Sequence, residues 1–73
     1  MARDHSPLRR ARDLSGLSQE EVAAALGVEQ VTVSRWERGT RKVNVDVLGR
    51  LVELYKTSPG VLMGIEPFPE AGP

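Results

Sequence analysis

Few side chains in this 73-residue chain could do covalent chemistry. It has one histidine, His5, and no cysteine, so thiolate metal sites and disulfides are excluded. No nucleophile is paired with a base, and no glycine-rich loop has the spacing that cradles a phosphate. Glu20 and Glu21 are adjacent carboxylates, but neighbours on a helix point apart and do not act as an acid–base pair. The chain is therefore expected not to be an enzyme and to need no metal or cofactor. What remains suits binding. In "LGVEQVTVSRWERG", residues 26–39, Val31 and Thr32 fall where a solvated helix should carry charge, and Arg35 and Arg38 follow on the same side. A mildly apolar, then cationic, outward face needs a partner.

The charge pattern bears on what that partner is. Ten Lys and Arg balance ten Asp and Glu, so the net charge is zero, which by itself argues against nucleic acid. The distribution argues the other way. Arg3, Arg9, Arg10 and Arg12 crowd the first seventeen positions. Glu20, Glu21 and Glu29 follow, and then come Arg35, Arg38, Arg41 and Lys42 against Glu37 alone. A binding surface responds to local potential rather than to the total. No apolar run reaches the roughly 20 residues that span a bilayer, and the polar start MARDHSPLRR lacks the apolar core of a secretory leader. The expected location is the cytoplasm.

These residues must be positioned by helices. Ser6-Pro7 is a start signal, with Ser as N-cap and Pro in the first turn, and Ser15-Gly16 is the stop. Ser18 and Glu21 have capping-box spacing, and Val22, Ala23 and Leu26 form the inward stripe of a second helix that Gly27 ends. A third helix spans about Gln30 to Arg38, with Val33 and Trp36 inward and Gly39 as terminator. The spacing assigns Trp36 to the core rather than to base stacking. After the basic loop "GTRKVN", Asn44 caps a fourth helix whose inward face is drawn by Val45, Leu48, Val52 and Tyr55. Gly49 costs about 1 kcal/mol against Ala there, for which close packing is one reason. Ser58-Pro59 starts a short fifth helix stopped by Gly64. The remaining "EPFPEAGP" has three prolines and no period, so it reads as a disordered or extended tail. The expected organisation is a helical domain over residues 1–64 and a proline-rich tail over 65–73.

Residues 19–38, "QEEVAAALGVEQVTVSRWER", place two helices around a tight glycine turn, with the small Ala23 where they come closest. With "GLSQEEVAAALGV", "SRWERG" and "SPGVLMG", the chain resembles the helix-turn-helix domains of Cro and the lambdoid phage repressors, the XRE-like family, from about Leu8 to Gly64. The resemblance implies an all-α, compact five-helix bundle of the lambda-repressor type. Its second and third helices make the motif, and the third lies in the DNA major groove.

Carried onto this sequence, the family pattern makes Gln30, Val31, Thr32 and Arg35 base-facing. Gln can pair bidentately with adenine, the Val and Thr methyls can pack on a thymine methyl, and Arg can fork onto guanine. Ser18 and Gln19, at the start of the second helix, together with Arg38, Arg41 and Lys42, take phosphate-contacting roles. For Arg41 and Lys42 the alternative is a solvated loop. Arg12 and Glu37 match a buried ion pair of the family. The sequence departs from the pattern at Glu29, where a Ser or Thr N-cap is usual, and at Val43, which replaces a frequent proline.

The function implied is a sequence-specific DNA-binding transcriptional regulator, a repressor in the first instance. Its partner is double-stranded DNA with a palindromic operator. One helix reads only a few base pairs, so a homodimer is expected, reaching half-sites about 34 Å apart. Val61, Met63, Ile65 and Phe68 form the expected dimer interface. The alternative is an antitoxin or protein-interaction module that uses the same fold to bind a protein such as a toxin.

Overall fold

A computed structural model describes residues 6–68; His5 and the tail residues 69–73 lie outside the described residues. Five helices follow one another: α1 Pro7–Ser15, α2 Gln19–Leu26, α3 Gln30–Arg38, α4 Val45–Tyr55 and α5 Pro59–Leu62. There is no strand among the described residues, and the expected all-α five-helix bundle is the architecture found.

The helix starts are set by side-chain caps that absorb orphan backbone donors. Ser6 Oγ accepts from the Arg9 amide at 3.1 Å, and Asn44 Oδ1 from the Val47 amide at 2.8 Å. At α2 the capping box is complete: Ser18 Oγ accepts from the Glu21 amide at 3.0 Å, and Glu21 Oε1 accepts from the Ser18 amide at 2.8 Å. Glu29 occupies the N-cap position of α3 without a side-chain cap bond. Gly27 adopts φ 74°, a left-handed conformation that lets the chain leave α2 and enter α3 within three residues. The amide of Val28 then closes the turn on the Ala23 carbonyl at 3.0 Å.

The core lies where α1, α2, α3 and α4 converge. Val22, Val33 and Leu51 are fully enclosed, and Ala11, Ala23, Trp36, Tyr55 and Leu62 complete the buried cluster. In α4 the inward face differs from the expected one at one end. Leu48, Leu51, Val52 and Tyr55 face the core, whereas Val45 is 84% exposed. Val45 is the first residue of its helix. Helical Cβ atoms tilt toward the N-terminus, so its side chain aims past the helix end and away from the bundle. Gly49 faces open space, so close packing does not explain it. Helix α4 ends on Lys56 at φ 55°, a left-handed cap made by a non-glycine residue.

The chain beyond α5 differs from the extended tail that its prolines suggest. The amides of Ile65 and Glu66 both donate to the Gly60 carbonyl, at 2.9 and 3.1 Å. Ser58 Oγ donates to Glu66 Oε1 at 3.0 Å. The Phe68 ring packs against the core, with the Arg10 guanidinium carbon 4.9 Å from its centroid. Residues 65–68 are thereby folded back on the bundle, and packing continues past the expected boundary at Gly64.

Candidate functional site

One face of α3 is turned outward by the same packing that buries the other. Val33, Trp36 and Glu37 point into the bundle. Gln30, Val31, Arg35 and Arg38 are exposed, and Thr32 is half-buried. Val31 keeps 43% of its surface accessible, one of the large apolar side chains left exposed. Arg35 and Arg38 sit in the last turn, where a cation is favoured by the helix dipole. Arg41 and Lys42 continue the positive potential on the exposed loop after Gly39.

Below this face lies a polar network anchored by Glu37. Its carboxylate accepts from Arg12 Nε at 2.6 Å and from Arg12 Nη2 at 3.2 Å. Arg12 also donates to the Leu17 carbonyl at 3.0 Å. Both side chains are nearly enclosed, at 11% and 5% accessible. The hydrogen bond to Glu37 is the main cause that raises the Arg12 pKa; burial opposes it, and the Glu37 and Asp13 charges add to it. Arg12 and Glu37 thus join α1 to α3.

Glu37 does more than pair with Arg12. Gln19 Nε2 donates to Glu37 Oε1 at 2.9 Å, and Gln30 Nε2 donates to Gln19 Oε1 at 3.4 Å. The carboxylate can only accept, so it fixes the amide of Gln19 with nitrogen inward and oxygen toward Gln30. That oxygen in turn occupies one donor of Gln30. A bidentate pairing with adenine needs one acceptor and one donor, and Gln30 retains both. The link from Glu37 through Gln19 to Gln30 is a feature that spacing alone did not reveal, because it runs from the end of α3 through α2 to the start of α3 by side-chain direction.

The remaining expected site residues separate into two groups. Ser18 is exposed, with its hydroxyl engaged in the α2 cap, and lies one residue before Gln19. Of the expected dimer residues, Met63 and Ile65 are open to solvent at 59% and 73%. Val61 is a correction: it is buried at 5% because its side chain faces inward from α5. Phe68 is a second correction, being half-buried under Arg10 rather than free to meet another chain. Val45 and Met63 instead border one apolar groove with Trp36 and Leu62 at its base. Among the described residues no group of His, Asp or Glu could hold a metal ion, and no helix is long and apolar enough to cross a membrane.

Comparison with known proteins agrees with the helical fold. The helix-turn-helix family matches residues 8–62. A protein of Sulfurisphaera tokodaii named "Putative HTH-type transcriptional regulatory protein" is 42% identical over 48 residues, which is 66% of this chain and 16% of that protein. One of the same name from Pyrococcus furiosus is 40% identical over 52 residues, 71% of this chain and 16% of that protein. The chain therefore spans about a sixth of the length of these curated relatives. No solved structure is matched.

Proposed function

The chain belongs to the helix-turn-helix family, and we propose that it is a sequence-specific DNA-binding regulator that reads the major groove with α3. The observation that carries this reading is the outward face of α3: Gln30 with a free donor and acceptor, the accessible methyls of Val31, and Arg35 beside them. Each has a base edge that it fits: adenine for Gln30, the thymine methyl for Val31 and Thr32, and guanine for Arg35. Water satisfies none of the apolar groups as well.

Ser18, Gln19, Arg38, Arg41 and Lys42 flank that face and hold phosphates, which sets position rather than sequence. The copy number follows from information content. A single α3 reads too few base pairs to define a site, so two copies bind a palindromic operator with half-sites about 34 Å apart. Met63 and Ile65, with Val45 across the groove, are the apolar surface available for that pairing. Repression follows from occupancy of such an operator, in the compartment that holds the DNA, the cytoplasm. A protein-binding role such as an antitoxin would draw on the same apolar patch but leaves the chemistry of Gln30 and Arg35 unused.

Selection of bound duplexes from a random pool tests the proposal. An inverted repeat enriched after a few rounds is the expected result. Recovery of unenriched sequence, with the protein folded, rules it out.

A further inference from the structure

An open cleft of about 770 Å³ lies beside the α3 face. Along α3 its wall is formed by Ser34 and Arg38, which continue the Gln30 row at steps of four residues. Gln19 and the buried Arg12–Glu37 pair make the floor. Arg9 of α1 also lines the cleft. The Arg12 charge is compensated by Glu37, so the field in the cleft is set by Arg9 and Arg38.

Among the described residues the one ion pair of Arg9, Nε to Asp13 at 3.7 Å, joins side chains that are 53% and 58% accessible, and solvent screens such a pair strongly. Its neighbour Arg10 is committed to the Phe68 ring. An arginine on a weak tether that lines the same cleft as a second arginine, among serine, threonine and glutamine side chains, is a seat for a tetrahedral oxyanion.

We propose that this cleft holds a backbone phosphodiester of the bound DNA, with Arg9 as a phosphate anchor on α1 that extends the footprint beyond the helix-turn-helix. The inference rests on the DNA-binding reading and adds to it a residue and a place. DNA lying along α3 presents its backbone to the flank that carries Gln19 and Arg38, and the cleft opens on that flank. A phosphate seated there contributes affinity without sequence preference.

The test is a salt titration with a random-sequence duplex, which needs no knowledge of an operator. Arg9→Gln is compared with Arg10→Gln, a change of equal charge one residue away and outside the cleft. Each phosphate contact contributes about 0.9 to the slope of log affinity against log salt, or about eightfold in affinity at 0.1 M relative to 1 M. Arg9→Gln is expected to lower the slope by about that amount and Arg10→Gln to leave it nearly unchanged. Equal loss in both variants, or no loss in Arg9→Gln while wild-type binding stays salt-dependent, overturns the cleft and leaves the DNA reading standing. Absence of salt-dependent binding in the wild type overturns both.

Discussion

Replacing Arg12 with methionine isolates the energetics of the polar network under α3. The change keeps an unbranched side chain of similar reach but removes three donors: two to Glu37 and one to the Leu17 carbonyl. Glu37, 5% accessible at its side chain, is left with the Gln19 amide as its remaining partner. Breaking a buried pair by removing one member costs about 3–5 kcal/mol, because the surviving charge stays desolvated. A chain of this size has a total stability of roughly 4–11 kcal/mol at 0.05–0.15 kcal/mol per residue, so the variant loses a large share of it. At about 4–8 °C per kcal/mol for a domain of this size, the melting temperature falls by at least ~12 °C. Denaturation followed by the fluorescence of Trp36, the sole tryptophan, measures the loss directly. The double variant Arg12→Met with Glu37→Leu removes both charges and should recover most of the stability, since a buried pair is close to neutral against apolar residues of similar volume. A single-variant loss under 1 kcal/mol, or a double variant less stable than Arg12→Met, refutes the reasoning.

Gly49→Ala places a methyl in open space in the middle of α4. It should stabilise the fold by about 0.5–1 kcal/mol in denaturant titrations, and destabilisation would show an unseen contact. Burial, reinforced by the Glu37 charge and opposed by Arg12, pushes the Tyr55 hydroxyl up to about 12 from an ordinary 10.0. The folded state therefore holds a proton that the unfolded chain releases. Stability should be flat below pH 10 and fall as the pH rises from 10 toward 12. Absorbance titration of this sole tyrosine should show a midpoint well above 10, and Tyr55→Phe should flatten the fall; an unshifted midpoint contradicts the burial. Ile65→Glu puts a charge on a side chain that is 73% exposed. It should leave melting within about 0.5 kcal/mol of wild type while abolishing self-association in sedimentation; an unaltered dimer moves the interface elsewhere.

The parts of this structure legible in the sequence are the local ones. Ser6-Pro7, Ser18 with Glu21, Asn44 and Ser58 each cap a helix with atoms no more than three residues away, so their spacing is sufficient to place them. Arg12 and Glu37 were placed by family resemblance, since nothing local links residues 25 positions apart. Three features escaped for physical reasons. Val45 has the right period but sits at the helix end, where direction outweighs periodicity. The α4 terminus falls on Lys56 at positive φ, a cap that carries no glycine to announce it. The fold-back of residues 65–68 depends on Phe68 meeting Arg10 of α1, a distant contact hidden behind prolines that suggest an extended chain. For the candidate site, the residue types on α3 were readable, but the Gln19–Glu37 bond and the place of Arg9 needed three dimensions.

The central claim is that side chains on the outer face of α3 recognise nucleobases. Its most direct test is the affinity of Arg35→Ala for the selected duplex and for a random duplex, in parallel with wild type. Arg35 is exposed and makes no side-chain bond within the described part of the fold, so folding should be intact by circular dichroism. Loss of one bidentate base contact costs about 1–3 kcal/mol of discrimination. The ratio of specific to random affinity should therefore drop by roughly 5- to 150-fold, more in a dimer that loses two such contacts. An unchanged ratio, with the variant folded, would contradict the claim.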